Sequence, residues 1–353
     1  MKNLSEKENA KRLPISSMAR TTLSAGLLLR LGINTSQSLM SDLFSVKRPD
    51  LKSALISKKN VTATVDTLKN LRGAAMKFGQ LLSLDETVIL SPDLAAIFAQ
   101  LQSSGYSMTP SQLKKVLNHN WGDDWLKHFK YFDVRPFAAA SIGQVHKATL
   151  KSGEVVAIKV QFPGVKQSID SDLATLKFIM KTSGMLPENF PLEHYLSQCG
   201  DLLKRETNYE LEAENINLFS GFLNGSKVIH VPKVYNKLST DQTLTMSFLE
   251  GRELSNIMQF DQSARDEISL NLIELLFNEI FNFKMVQTDP NLANFLLNRG
   301  GKSICILDFG ACCRVSEDTH RLYKELLSVA LSLDLNCIKS FLQEKNFIPQ
   351  ETS

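Results

Sequence analysis

Apolar and polar residues alternate along two runs, 142–150 and 154–161, split by Lys151-Ser152-Gly153. Period-two alternation around such a turn predicts an antiparallel hairpin, with another strand just ahead of it near 131–135. In the second run Val156, Ile158 and Val160 fall on one face, toward a core, and Ala157 and Lys159 fall on the other. The returning strand brings Lys159 back beside Ala138-Ala139-Ala140-Ser141. Elsewhere apolar residues recur at intervals of three and four, which predicts helices over 65–82, 165–180 and 201–219, with shorter ones over 94–101 and 111–117 behind Pro92 and Pro110. Gly73 and Gly79 lie inside the first of these. Each costs about 1 kcal/mol relative to Ala, so a close backbone approach is expected there. Residues 243–249 read as a strand entering a hinge that Glu250-Gly251 closes, ahead of a helical lobe.

The densest chemistry follows, in Gln287-Thr288-Asp289-Pro290-Asn291-Leu292-Ala293-Asn294 and Asp308-Phe309-Gly310. Between them, two short apolar runs flank Arg299-Gly300-Gly301-Lys302, a turn signal that predicts a tight hairpin. Folding about that turn sets Asn294 and Asp308 side by side. An amide oxygen and a carboxylate are hard ligands suited to Mg²⁺, with phosphate oxygens completing the shell. Asp-x-x-x-x-Asn followed by Asp-Phe-Gly is the spacing with which protein-kinase-type enzymes place a catalytic carboxylate and two metal ions. ATP chemistry is therefore the leading expectation, with Ala157 against the adenine and Lys159 on the phosphates.

Length and charge narrow the picture. A chain of 353 residues, 43% hydrophobic, can bury a large core, and a formal charge of +3 does not point to nucleic acid. The first sixty residues carry eleven Lys or Arg against four Asp or Glu, a net +7 suited to a solvated arm or to weak contact with anionic lipid. Residues 23–33 are apolar but too short for a bilayer span and interrupted by Arg30. No signal peptide opens the chain, and Glu6 and Glu8 fit a mitochondrial presequence poorly. The five cysteines show no Cys-x-x-Cys spacing and read as reduced thiols of a cytosolic-type compartment.

A kinase needs a helix glutamate to hold its strand lysine. Glu206 and Glu212 are both candidates. On one continuous helix, six positions leave them about 120° apart, so one can meet Lys159 while the other faces a different neighbour.

Taken together, Lys77-Phe78-Gly79-Gln80, the alanine-rich Ala138–Ser141 loop, Val156-Ala157-Ile158-Lys159, Glu206 with Glu212-Ala213, Gln287-Thr288-Asp289 with Asn294, and Asp308-Phe309-Gly310 resemble the UbiB/ADCK/AarF family of atypical protein-kinase-like proteins. The resemblance runs from about residue 13 to 347. It implies an α+β, protein-kinase-like two-lobe fold with an N-terminal helical extension, divided as a basic arm over 1–60, the extension over 61–125, a nucleotide-binding lobe over 126–250 and a helical lobe over 251–353. It implies ATP or ADP and Mg²⁺ as cofactors, with Lys159 paired to Glu206, Asp289 catalytic, and Asn294 and Asp308 on the metal. Ala138, Ala139, Ala140, Ser141, Ala157, Met246 and Phe248 would surround the nucleotide. Lys77 and Gln80 would regulate access, with Glu212 as the ionic partner of Lys77.

The implied partners are a nucleotide, a lipid or quinone-like ligand, proteins of ubiquinone biosynthesis and a membrane touched peripherally, with no nucleic acid. The implied location is the cytoplasm, or the mitochondrial matrix in a eukaryote. Two features part the chain from ordinary protein kinases. The 47 positions from Lys159 to Glu206 leave room for an inserted helix, and no Ala-Pro-Glu follows Gly310 to mark a peptide-docking platform. Only 43 residues follow Gly310, short for the C-terminal helices the family leads one to expect. An atypical kinase or ATPase is the reading this supports; a nucleotide-gated scaffold and a protein kinase acting in trans are its rivals.

Overall fold

The computed structural model describes residues 68, 71–84, 98, 107–183, 186–187, 190–289, 291–298, 301 and 303–349. The basic arm and the helix expected over 94–101, Phe98 apart, lie outside them. In chain order come α1 (Arg72–Leu84), α2 (Pro110–Trp121), β1 (Phe129–Phe132), β2 (Ala138–Ala139), β3 (Gly143–Leu150), β4 (Val155–Gln161), α3 (Val165–Ser183), α4 (Leu192–Glu206), α5 (Tyr209–Phe222), β5 (Ile229–His230) and β6 (Thr243–Ser247). Then follow β7 (Arg252–Glu253), α6 (Gln262–Asn278), β8 (Met285–Gln287), β9 (Phe295–Leu297), β10 (Ile304–Ile306), β11 (Cys312–Arg314), α7 (Glu317–Leu331) and α8 (Leu335–Glu344). The described residues form two compact units. One holds residues up to Asn217 with Pro232–Leu249, the other Leu218–Val231 with the residues from Glu250 onward.

The first unit is built on an antiparallel sheet ordered β1-β3-β4-β6, with β2 paired to the start of β3. The alternation along β4 behaves as the pattern predicts: Val156, Ile158 and Val160 enter a core with Leu113, Leu117, Trp125 and Phe129. Helix α2 supplies part of that core. It opens with Pro110 and a capping box in which Thr109 and Gln112 satisfy each other's backbone N–H, so it begins where the proline signal placed it. Across β3, Met108 N–H donates to Gln144 Oε1 (2.7 Å), while Gln144 Nε2 meets the ring of His146 (2.8 Å). Burial pushes His146 down to about 4, so the ring is neutral around pH 7.

The interval between Lys159 and Glu206 contains two helices, α3 and α4, where the spacing left room for one. The helix expected over 201–219 is also two helices. Helix α4 ends at Glu206, and Asn208 starts α5 by accepting the Leu211 N–H on its side-chain oxygen (3.2 Å). The reason for the two glycines of α1 is visible at Gly79, where an added Cβ would lie 2.6 Å from the Phe98 ring. Gly73 faces Ile142 and the Ser141 carbonyl at 3.2 and 3.7 Å from such a Cβ, which sets α1 against the alanine-rich loop.

The second unit combines helices with two small sheets, ordered β5-β10-β9-β7 and β11-β8. Phe309 is fully buried and its ring packs on Phe219 of α5, 5.0 Å between centroids. Phe222 stacks on Phe283 beside them at 4.7 Å. Among the described residues no helix is long and apolar enough to cross a membrane.

Candidate active site

In the first unit, strand β4 carries Lys159 between Val145 of β3 and Leu244 of β6. Its ammonium donates to Glu212 Oε1, and both side chains are 3% exposed. Glu212 reaches it from the buried stripe of α5, which runs Tyr209, Glu212, Ala213, Ile216 and Phe219 at helical spacing. Glu206 pairs instead with Lys77 of α1 and accepts the Ser141 hydroxyl on its other oxygen (2.8 Å).

Lys159 thus meets Glu212 and Glu206 meets Lys77, where the resemblance implied Lys159 with Glu206. The cause is the helix break: Glu206 closes α4 and Glu212 lies in α5, so one 100° step per residue does not relate them. The Lys159–Glu212 pair is buried, and removing one partner of such a pair typically costs about 3–5 kcal/mol, while the Lys77–Glu206 pair is partly buried. Lys77 is thus no solvent-face lysine, being 5% exposed. Gln80 lies half-buried one turn on from it.

The alanine-rich loop is anchored rather than loose. Ala138 and Ala139 pair with Val145 and Gln144, and Ala140 N–H donates to the Gly143 carbonyl (3.0 Å). Ala157 is buried opposite Met246. Phe248 stands edge-on to Phe137 at 5.2 Å, with the Lys147 ammonium 4.0 Å from its ring centre.

In the second unit, the β9–β10 register pairs Phe295 with Ile306, Leu296 with Cys305 and Leu297 with Ile304. One step outward the Asn294 carbonyl accepts the Leu307 N–H (2.9 Å), so the register pairs Asn294 with Leu307, one residue short of the Asp308 that the hairpin argument set beside it. The turn includes Gly301 at φ +69°, a conformation that glycine adopts without strain. A second pairing, β8 with β11, ties the Asp289 segment to the residues after Asp308: Gln287 lies opposite Cys312, and Thr288 N–H donates to the Ala311 carbonyl (2.9 Å). The Gln287 side-chain amide then bridges the two loops, donating to the carbonyls of Asp289 (2.9 Å) and Asp308 (3.3 Å). Gly310 N–H donates to Asp308 Oδ1 (3.0 Å). Asp289, Asn294 and Asp308 are each half-buried.

The donor set fits Mg²⁺. Asp308 and Asn294 offer hard oxygens one register step apart, and among the described residues no three His, Cys, Asp or Glu converge as a metal cage. Two protein ligands leave the other positions to phosphate oxygens and water, as in magnesium sites that hold nucleotides. All five cysteines are free thiols; burial pushes Cys199 up to about 12, which suits packing against the Ala74 carbonyl rather than nucleophilic work. Two residues that sequence reasoning did not single out join this region. Gln287 was seen only as part of a motif, and Glu279, 4% exposed, accepts the Gln287 backbone N–H (3.3 Å).

A strand lysine held by a helix glutamate, an Asp-x-x-x-x-Asn loop and a buried Asp-Phe-Gly phenylalanine define a protein-kinase-like fold. The model of the ABC1 atypical kinase-like domain matches residues 100–342, and the chain belongs to that family. This bears out the UbiB/ADCK/AarF resemblance. The chain is 37% identical over 91% of its length to the mitochondrial atypical kinase COQ8 of Saccharomyces cerevisiae, and 36% identical over 88% to mitochondrial COQ8B of Danio rerio. It spans 64% and 50% of those relatives. Among solved structures, the Rv3197–erythromycin complex from Mycobacterium tuberculosis superposes with a TM-score of 0.57 at 26% identity, covering 84% of this chain and 78% of that one.

Proposed function

We propose that this chain binds Mg-ATP and uses it for slow hydrolysis or for phosphoryl transfer to a small or lipid-like acceptor. The observation that supports the reading is the Gln287 side-chain bridge between the Asp289 and Asp308 carbonyls, together with the hairpin that ties the Asn294 carbonyl to Leu307 just ahead of Asp308. Lys159, oriented by Glu212, takes the α- and β-phosphates. Ala157, Met246, Phe248 and the Ala138–Ser141 loop surround the nucleotide, and Asp289 accepts the proton of the attacking hydroxyl or water. Asn294 and Asp308 would hold Mg²⁺, which when bound neutralises charge building on the phosphate oxygens. Asp308→Asn should therefore lose most of the Mg²⁺-dependent rise in thermal midpoint that ATP produces in the unmodified chain. An unchanged rise in the variant would discard the metal assignment.

Family membership and the mitochondrial relatives support a place in coenzyme Q biosynthesis, with a quinone-like lipid as the acceptor class. The net +7 of residues 1–60 supports weak, salt-sensitive contact with anionic membranes. Flotation with anionic vesicles, with and without those residues, tests that contact; equal recovery would reduce the arm to a solvated tail.

A further inference from the structure

Helix α6 ends in a π-turn, Glu279–Phe283, closed by Lys284 in the left-handed region at φ 51°. π-turns occur often at functional sites, and this one sits directly ahead of β8, which leads to Asp289. Glu279 continues the buried stripe of α6 formed by Ile268 and Leu275, so its carboxyl is carried inward rather than into water. What it meets there follows from the β8–β11 ladder. Thr288 N–H donates to the Ala311 carbonyl and Val315 N–H to the Lys284 carbonyl, which makes Gln287–Cys312 a non-hydrogen-bonded pair. The Gln287 N–H therefore points away from β11 and needs an acceptor elsewhere. Glu279 Oε2 supplies it at 3.3 Å.

We propose that Glu279 is a positioning residue for Asp289 and Asp308: by accepting the backbone N–H that the ladder leaves over, it holds Gln287 where its side-chain amide ties the two loops together. Glu279 acts through Gln287 and touches no reactant. Burial pushes its carboxyl up to about 8, so it serves as a neutral acid at pH 7. The charged groups on the neighbouring elements include Glu274 of α6, Lys284, Asp289, Arg314 of β11, and Glu317 and His320 of α7. Among the described residues none of them forms an ion pair with Glu279, and Lys284 is engaged with Glu317 (2.7 Å). The turnover half of this proposal rests on the Mg-ATP reading; the structural half does not.

The test compares the full chain with Glu279→Ala and Glu279→Gln. Amide hydrogen exchange over residues 285–289 should rise at least tenfold in Glu279→Ala and stay near the unmodified level in Glu279→Gln, whose amide oxygen accepts the same bond. ATP-dependent phosphate release should fall at least tenfold in the alanine variant with ATP affinity changed less than threefold, and the glutamine variant should recover it.

A third readout concerns pH. The folded chain retains a proton that the unfolded chain releases in the ordinary carboxylate range, so Glu279 favours folding least above pH 8 and the thermal midpoint should fall from pH 5 to 8. Glu279→Gln should flatten that slope. Equal exchange in Glu279→Ala and the unmodified chain, or a glutamine variant as defective as the alanine one, would overturn the proposal. Absent turnover in the unmodified chain, with the exchange difference intact, would instead count against the Mg-ATP reading alone.

Discussion

Replacing Glu212 with Gln should lower ATP-dependent phosphate release about a hundredfold, a loss of about 2.7 kcal/mol in transition-state stabilisation. Glu206→Gln should cause no such loss. The contrast follows from which lysine each glutamate meets. Glu212 is the carboxylate that meets Lys159, with both groups almost wholly out of water, whereas Glu206 meets Lys77 and Ser141. An amide at 212 removes the carboxylate charge that meets the buried Lys159 ammonium, so the lysine is shifted in its place or its charged form is disfavoured. Either outcome removes the cation intended for the phosphates. Phosphate release by the two glutamine variants, assayed at matched concentration beside Lys159→Ala and Asp289→Asn, checks this. A larger loss at Glu206 than at Glu212 would favour the Lys159–Glu206 pairing that the family resemblance implied.

The second large effect has the opposite sign. Lys77→Ala should raise turnover about tenfold, the equivalent of about 1.4 kcal/mol, and Glu206→Gln should raise it in the same direction. Lys77 and Ser141 both bind Glu206, so helix α1 is clamped through one carboxylate to the end of α4 and to the alanine-rich loop. Gly73 lets α1 lie against that loop. Such a clamp restrains a loop expected to close over the phosphates, and releasing it should speed turnover while costing stability through the broken, partly buried pair. A surface lysine would change stability by no more than about 0.5 kcal/mol and leave turnover untouched. No gain for either variant would discard gating and leave the clamp as a structural staple.

How far these residues could be read from the sequence depended on whether local spacing or tertiary packing placed them. The β9–β10 hairpin was legible from two short apolar runs about a glycine turn, but its register was legible only to within one residue: Asn294 pairs with Leu307 rather than with Asp308. Lys159 was legible because alternation on β4 separates the core face from the other. The glycines of α1 announced close packing through their cost in a helix, and Gly79 meets Phe98.

The partner of Lys159 was not legible, because the apolar period runs on through Thr207 and Asn208 and hides the break between α4 and α5. The available signal was Asn208, a good N-cap residue, here accepting the Leu211 N–H. Glu279 was missed for a related reason. It stands in an apolar run, and only the non-hydrogen-bonded register at Gln287 and Cys312 reveals a backbone donor in need of it.

The central claim, that this chain is a magnesium-dependent nucleotide binder built around Lys159, Asn294 and Asp308, is met most directly by calorimetric titration of the full chain with ATP, once with Mg²⁺ and once with EDTA. The account predicts one nucleotide per chain with Mg²⁺, binding weakened at least tenfold in EDTA, and the same weakening in Lys159→Ala even with the metal present. Absence of binding with Mg²⁺, or equal affinity in all three titrations, would contradict it.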